Sequence, residues 1–306
     1  MARKLQLLLV LAVAALAMVA AGCGSDDEEA QPAASDQTGT QAADPCAKDS
    51  LDTKAPGTLT IGTDNPAYPP WFDGGTPSGS TWELNDPSTG KGFESAVAYA
   101  VAEELGFSKG DVQWKVVPFD QSFRPGAKDF DFDINQISFS DERAQAVDFS
   151  DSYYDVNQAL VALEANEIAD ATSIADLQDA RLGAPIGTTS YSYIVDTIKP
   201  GPKPSVYNSL NDAIAAVKAK QIDGVMVDLP TAFFITAAQM DNGVIVGQIE
   251  QAEDADAEYF SVVLPKDSPL TDCVNQAIAA LQEDGSLDAI TQEWLSDKAN
   301  APVFQP

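Results

Sequence analysis

A chain of 306 residues is long enough for two modest domains, each able to bury its own core. Its 47 acidic residues against 17 basic ones give a formal net charge of −30, which excludes nucleic acid as a partner and suits a solvated surface. With no histidine, Ser-His-Asp and Cys-His catalysis are excluded, and three cysteines are too few for an ordinary four-ligand structural zinc site.

Arg3 and Lys4 precede an apolar run from Leu7 to Ala21. That run is shorter than the roughly 20 residues a spanning helix needs, so residues 1–22 read as a signal peptide. Val19-Ala-Ala-Gly-Cys23 resembles a bacterial lipobox, which implies that Cys23 is lipidated. The chain then turns abruptly polar and acidic, and residues 23–56 read as a lipidated tether. In an exported protein Cys46 and Cys273 are the pair left for a disulfide, the alternative being two buried thiols.

Beyond the tether, the hydrophobic pattern alternates between strand and helix, and an α/β protein is expected. Leu59–Ile61 reads as a short strand before a proline-rich turn. Phe93, Ala96, Val97, Ala100, Val101 and Leu105 recur at helical spacing, with Gly106 as the stop. Further strands are expected at Val112–Val117, Asp133–Ile137, Leu160–Leu163, Leu182–Ile186, Gly224–Val227 and Tyr259–Leu264. Leu210, Ile214 and Val217 mark a helix, and Ser173 with Asp176 resembles a capping box opening another.

Several stretches, in order, resemble the extracellular solute-binding proteins of family 3, which serve polar amino-acid importers. They are Ile61-Gly-Thr-Asp-Asn-Pro-Ala-Tyr-Pro-Pro-Trp-Phe72, Gly92-Phe-Glu94, Ile134-Asn-Gln-Ile-Ser-Phe-Ser-Asp-Glu-Arg143 and Val147-Asp-Phe-Ser-Asp-Ser-Tyr-Tyr154. Gly187-Thr-Thr-Ser190, the run from Asp223 to Pro230, and Leu281 through Trp294 complete the pattern. The resemblance implies two α/β lobes joined by two crossing strands, with a ligand cleft between them. Lobe 1 would hold residues 57–158 and 259–306, and lobe 2 residues 159–258.

The resemblance also implies a set of ligand-binding residues. Arg143 would pair bidentately with a ligand carboxylate, which lysine does less well. Ser138 would support it, and Gln136 falls where the family offers a backbone contact. Thr188 and Thr189, ahead of an expected helix, would aim backbone N–H groups at the same anion. Asp228, ending an apolar strand, would take the ligand ammonium, and Asp64 would add an acceptor there or to the side chain. Tyr68 and Phe119, with Trp71 as a further candidate, would supply aromatic walls. Each residue also has a plainer reading: a surface salt bridge for Arg143, an N-cap for the threonines, a turn cap for Asp64 and core packing for the aromatics.

Two departures from the family pattern stand out. The spacing from Asp64 to Tyr68 is one residue longer, and residues 73–91, with Trp82 and Glu83, form a longer link expected to border the cleft.

The function expected is that of a lipid-anchored binding component of an ABC importer on the outer face of the bacterial cell membrane. It would be monomeric, use no cofactor, take a small amino-acid-like ligand and hand it to a separate membrane permease. The alternatives are an enzyme of the same fold, dehydratase-like and using carboxylates such as Asp64, Asp228 and Glu94, or a free-standing sensory lipoprotein.

Overall fold

The chain divides into two units, Met1–Ala42 and Ala43–Pro306. The computed structural model describes residues 44–249, 257–295 and 301–304, all in the second unit. The expected signal peptide, the expected lipidation at Cys23 and the expected tether up to residue 43 lie outside the described residues.

Ten strands form two five-stranded sheets among the described residues. The first sheet holds β1 (Leu59–Thr63), β2 (Val112–Val116), β3 (Phe132–Asp133) and β4 (Val147–Asp155). The second holds β5 (Gln158–Leu163), β6 (Leu182–Pro185), β7 (Ser205–Tyr207), β8 (Gly224–Asp228) and β9 (Gly243–Ile249). The chain then returns to the first sheet as β10 (Tyr259–Pro265). The strand orders are β2-β1-β3-β10-β4 and β7-β6-β8-β5-β9. Each sheet follows one plan: three parallel strands, then two strands antiparallel to their neighbours. The chain crosses between sheets at Val156–Asn157 and again ahead of Tyr259.

Helices cover both sheets. α1 (Phe93–Glu104) buries Phe93, Val97, Ala98, Val101 and Ala102 on one stripe against Leu59, Ile61 and Phe132. It stops where the sequence places Gly106, whose φ of 81° is the left-handed conformation that ends helices. α2 (Phe119–Ser122) and α3 (Asp141–Ala144) are single turns after the second and third strands. In the second lobe lie α4 (Thr189–Tyr193), α5 (Leu210–Lys218) and α6 (Leu229–Phe234). α7 (Thr271–Glu283) and α8 (Ser286–Leu295) pack back on the first core.

Local chemistry explains where these elements differ from the expected ones. The strand expected over Asp133–Ile137 is two residues long, because Gln136 adopts a φ of 48° and leaves the extended conformation. Ser173 and Asp176 do form a capping box, but it opens only the 3-10 turn Ile174–Leu177. Part of the expected tether is built into the fold: Cys46 is disulfide-bonded to Cys273 in the first turn of α7, and Cys46 and Leu51 pack on the first core.

Residues 301–304, expected in the first lobe, belong to the second. Val303 pairs with Gln248 of β9, and Phe304 packs into the second core against Gly247. Among the described residues, no helix is long and apolar enough to cross a membrane.

Candidate functional site

The parallel strands of both sheets run toward the cleft, so the segments that follow their C-terminal ends meet there, where open α/β sheets gather ligand-binding groups. Asp64 follows β1, Phe119 follows β2, residues 135–138 follow β3, Ile186–Ser190 follow β6, and Asp228 ends β8. All of these but Ile137 and Gly187 line one cavity of about 450 Å³. All nine residues singled out from the sequence lie on its wall: Asp64, Tyr68, Phe119, Gln136, Ser138, Arg143, Thr188, Thr189 and Asp228.

Arg143 sits on the turn of α3, whose N-cap Ser140 accepts from the Arg143 backbone N–H at 3.3 Å. Its side chain is nine-tenths buried. Nη1 donates to the Ser138 carbonyl at 2.6 Å and Nη2 to the Gly187 carbonyl of the second lobe at 2.7 Å. The guanidinium lies 4.2 Å from the Phe123 ring centre and 5.7 Å from that of Phe119, within cation–π range. Burial pulls its pKa down to about 10, so it stays charged at neutral pH. Asp148, five residues on, pairs with Lys266 at 3.1 Å.

Ser138 donates its hydroxyl to Glu258 at 2.6 Å, and Glu258 also receives Gln158 Nε2 at 3.2 Å. The Ser190 hydroxyl donates to Gln158 Oε1 at 2.7 Å. Ser138, Glu258, Gln158 and Ser190 therefore form a continuous polar chain from one lobe to the other through both crossovers. Thr189 meets Ser138 more loosely, hydroxyl to hydroxyl at 3.4 Å. Thr188 is the N-cap of α4, accepting from the Tyr191 N–H at 3.3 Å and donating to the Pro185 carbonyl at 2.9 Å.

Asp228 closes β8 and caps α6, accepting the Thr231 N–H at 2.8 Å. Burial, aided by the Glu258 charge, pushes its pKa up to about 6. Asp64 accepts the Asn65 N–H at 2.7 Å and the Phe119 N–H at 3.4 Å, and burial raises its pKa. Its carboxylate thus caps the turn and also faces the cavity.

Gln136 departs from the expected role. Its backbone N–H is spent on the fully buried Glu94 at 2.6 Å, and its side-chain amide donates to the same carboxylate. Tyr153 adds its hydroxyl to Glu94 at 2.5 Å. Burial pushes the Glu94 pKa up to about 7. Trp71 is core rather than wall: fully buried, it packs edge-on against Phe93 and Phe260, and its Nε1 donates to Thr231 Oγ1 of the second lobe at 3.0 Å.

The longer link over residues 73–91 rests on the lip of the cavity. The backbones of Asp73 and Lys91 pair at its base. Asn65 accepts from the Glu83 N–H at 2.8 Å, and the Asn85 amide donates to the Ala67 carbonyl at 3.0 Å.

Glu258, Gln158 and Ser190 were not singled out from the sequence. The available signal was faint: a polar residue at the start of each of two apolar strand runs, Gln158 before Ala-Leu-Val and Glu258 before Tyr-Phe-Ser-Val-Val.

Comparison with known proteins agrees with this geometry. The L-cystine-binding protein TcyJ of Escherichia coli is 27% identical over 244 residues, covering 79% of this chain and 84% of its own. The L-arginine-binding protein of Pseudomonas aeruginosa is 29% identical over 241 residues, covering 75% and 85%. Among solved structures, an ancestral arginine-binding protein bound to glutamine superposes with a TM-score of 0.62 at 26% identity, covering 78% of this chain and 98% of its own. Residues 59–297 match the family described as bacterial extracellular solute-binding proteins, family 3, and the chain belongs to that family.

Proposed function

We propose that this protein binds one α-amino acid in the cleft and delivers it to the membrane permease of an ABC importer. The observation that carries this reading is the pairing of Arg143 from one lobe with Asp228 from the other on the wall of the same cavity. An α-amino acid needs a cation with fixed donors for its carboxylate and an anion for its ammonium group. Arg143 has donors beyond the two spent on carbonyls and presents them in a planar fork. Ser138 and Thr189 stand beside it, and Asp228 supplies the opposite charge. Tyr68 and Phe119 wall the space left for a side chain. The L-cystine- and L-arginine-binding relatives support a ligand of this kind.

The lobes close on the ligand by bending at the crossovers near Asn157 and Glu258, and the permease reads the closed shape. Cys23 carries the lipid that holds the monomer at the outer face of the membrane. Catalysis is the weaker reading. Glu94, a fully buried carboxylate near the cleft whose pKa is pushed up to about 7, already accepts from Gln136 and Tyr153.

Melting-temperature shifts with the common α-amino acids, their amides and small amines test the proposal. One α-amino acid at about a hundredfold over Kd should stabilise the protein by roughly 2.7 kcal/mol. The absence of any shift across the panel contradicts it.

A further inference from the structure

Glu258 does not line the cavity, yet it holds two of the residues that do. The Ser138 hydroxyl donates to its carboxylate at 2.6 Å and Gln158 Nε2 at 3.2 Å. The Tyr193 hydroxyl, at the end of α4 in the second lobe, bonds the same carboxylate. The backbone is pinned as well, since the Glu258 carbonyl accepts the Val156 N–H of the other crossover at 3.0 Å. A half-buried carboxylate clamped from both lobes in this way cannot swing out to water without breaking these bonds.

The clamp sets a negative charge beside both ends of the proposed ligand site. Arg143 Nη1 donates to the carbonyl of Ser138, the residue whose hydroxyl meets Glu258, so a single residue separates guanidinium from carboxylate. On the other side, Gln158 stands directly opposite Asp228 in the β5–β8 pair, where opposed side chains share a face, and again one residue intervenes. The electrostatics agree. Burial lowers the Arg143 pKa, and Glu258 is the charge that most opposes this, ahead of the exposed Glu142. Asp228 accepts the Thr231 N–H at 2.8 Å and the Thr231 hydroxyl, neutral donors that orient its charge without cancelling it.

Arg143 is therefore answered by Glu258 before any ligand arrives. A carboxylate docking on the guanidinium brings a second anion to one cation, with Asp228 close by as a third. Away from water, such crowding of like charge is costly unless the newcomer carries its own cation. A zwitterion does, and a bare carboxylate does not.

We infer that Glu258 is a specificity-determining residue, a built-in anion between Arg143 and Asp228 that makes the cleft reject carboxylates lacking an ammonium group. The inference rests on the α-amino-acid reading and assigns that selectivity to a side chain outside the cavity wall. Glu258 acts through its charge and the groups it positions, so neutralising it relaxes selectivity instead of only weakening the site.

Isothermal titration at about pH 7.5 sets L-arginine, L-glutamine and L-leucine against their deamino acids, δ-guanidinovalerate, glutaramate and isocaproate, which keep carboxylate and side chain and lose the ammonium. At least one amino acid should bind the native protein about a hundredfold or more tightly than its deamino acid. Glu258→Gln keeps the shape and removes the charge. It should shrink that ratio about tenfold or more, with the deamino acid itself binding more tightly than it does to the native protein. Damage to the cleft would weaken both ligands instead. Glu258→Ala, also neutral, should act in the same direction, and Glu258→Asp, which keeps the charge, should hold the ratio within about threefold. Deamino acids that bind both neutral variants no more tightly than the native protein overturn the inference and leave the α-amino-acid reading standing. A deamino acid that binds the native protein as tightly as its parent overturns the α-amino-acid reading instead.

Discussion

Arg143 of the first lobe donates to the Gly187 carbonyl of the second at 2.7 Å, so the residue assigned to the ligand carboxylate also bridges the cleft. A charge-assisted hydrogen bond contributes about 1.5–3 kcal/mol, and Arg143→Ala removes the cross-lobe bond together with the contact to the ligand. Affinity for the best-binding amino acid should fall by at least about a hundredfold in a titration. Arg143→Lys keeps the charge but cannot form a planar fork and should recover only part of the loss. Equal affinity for the lysine variant and the native protein would refute bidentate recognition.

Asp228 should make ligand binding depend on pH. Its pKa is pushed up to about 6, and only its ionised form can hold an ammonium group. A bound cation favours the carboxylate, so the proton and the ligand compete. Affinity should be level above about pH 7 and fall as the pH drops through 6, approaching tenfold per unit. Titrations from pH 5 to 8 read this directly. Asp228→Asn should bind weakly at every pH with a flatter profile.

Glu94 acts on stability rather than on ligand contact. Its pKa rises from 4.5 to about 7 because it is buried, so the folded state holds the proton more tightly than the unfolded chain. For a carboxyl group shifted upward, stability is greatest below the unfolded value and declines as pH rises through the folded one. The decline for this group is on the order of 3 kcal/mol between pH 4.5 and 7. Chemical denaturation across that range should show Glu94→Gln losing less stability with rising pH than the native protein. Parallel curves would remove Glu94 from the account.

The Cys46–Cys273 disulfide closes a loop spanning 227 positions and ties the N-terminal residues to α7. Removing a native disulfide costs about 2–5 kcal/mol, largely through the freedom returned to the unfolded chain. Cys46→Ser with Cys273→Ser should lower the denaturation midpoint by that amount. Neither cysteine lines the cavity, so ligand affinity should stay within about twofold. A large loss of affinity at full folding would show that the bond also shapes the cleft.

The sequence is most legible where one local signal dominates. The apolar runs of β5, β8 and β10 read directly as strands, and the stripe on α1 ending at Gly106 reads as a helix. The nine residues now on one cavity wall came from the resemblance to the solute-binding family. What stays hidden depends on contacts between distant segments. The segment Asp133–Ile137 looks like a strand until Glu94, 42 positions before Gln136, bonds that residue's N–H. Trp71 reads equally as wall or core until Thr231 takes its indole N–H. Nothing in the composition of residues 301–304 announces that Phe304 returns to the second core. Glu258 and Gln158 are ordinary polar residues until the two crossovers lie side by side.

Recognition of both ends of an α-amino acid by Arg143 and Asp228 is tested most directly by blocking each end in turn. The amino acid that binds best should be titrated beside its methyl ester and its Nα-acetyl derivative. The account predicts one site per chain for the free amino acid and a loss of at least about a hundredfold for each derivative, since each leaves a buried charge without its partner. Binding of either derivative within about threefold of the parent would contradict it.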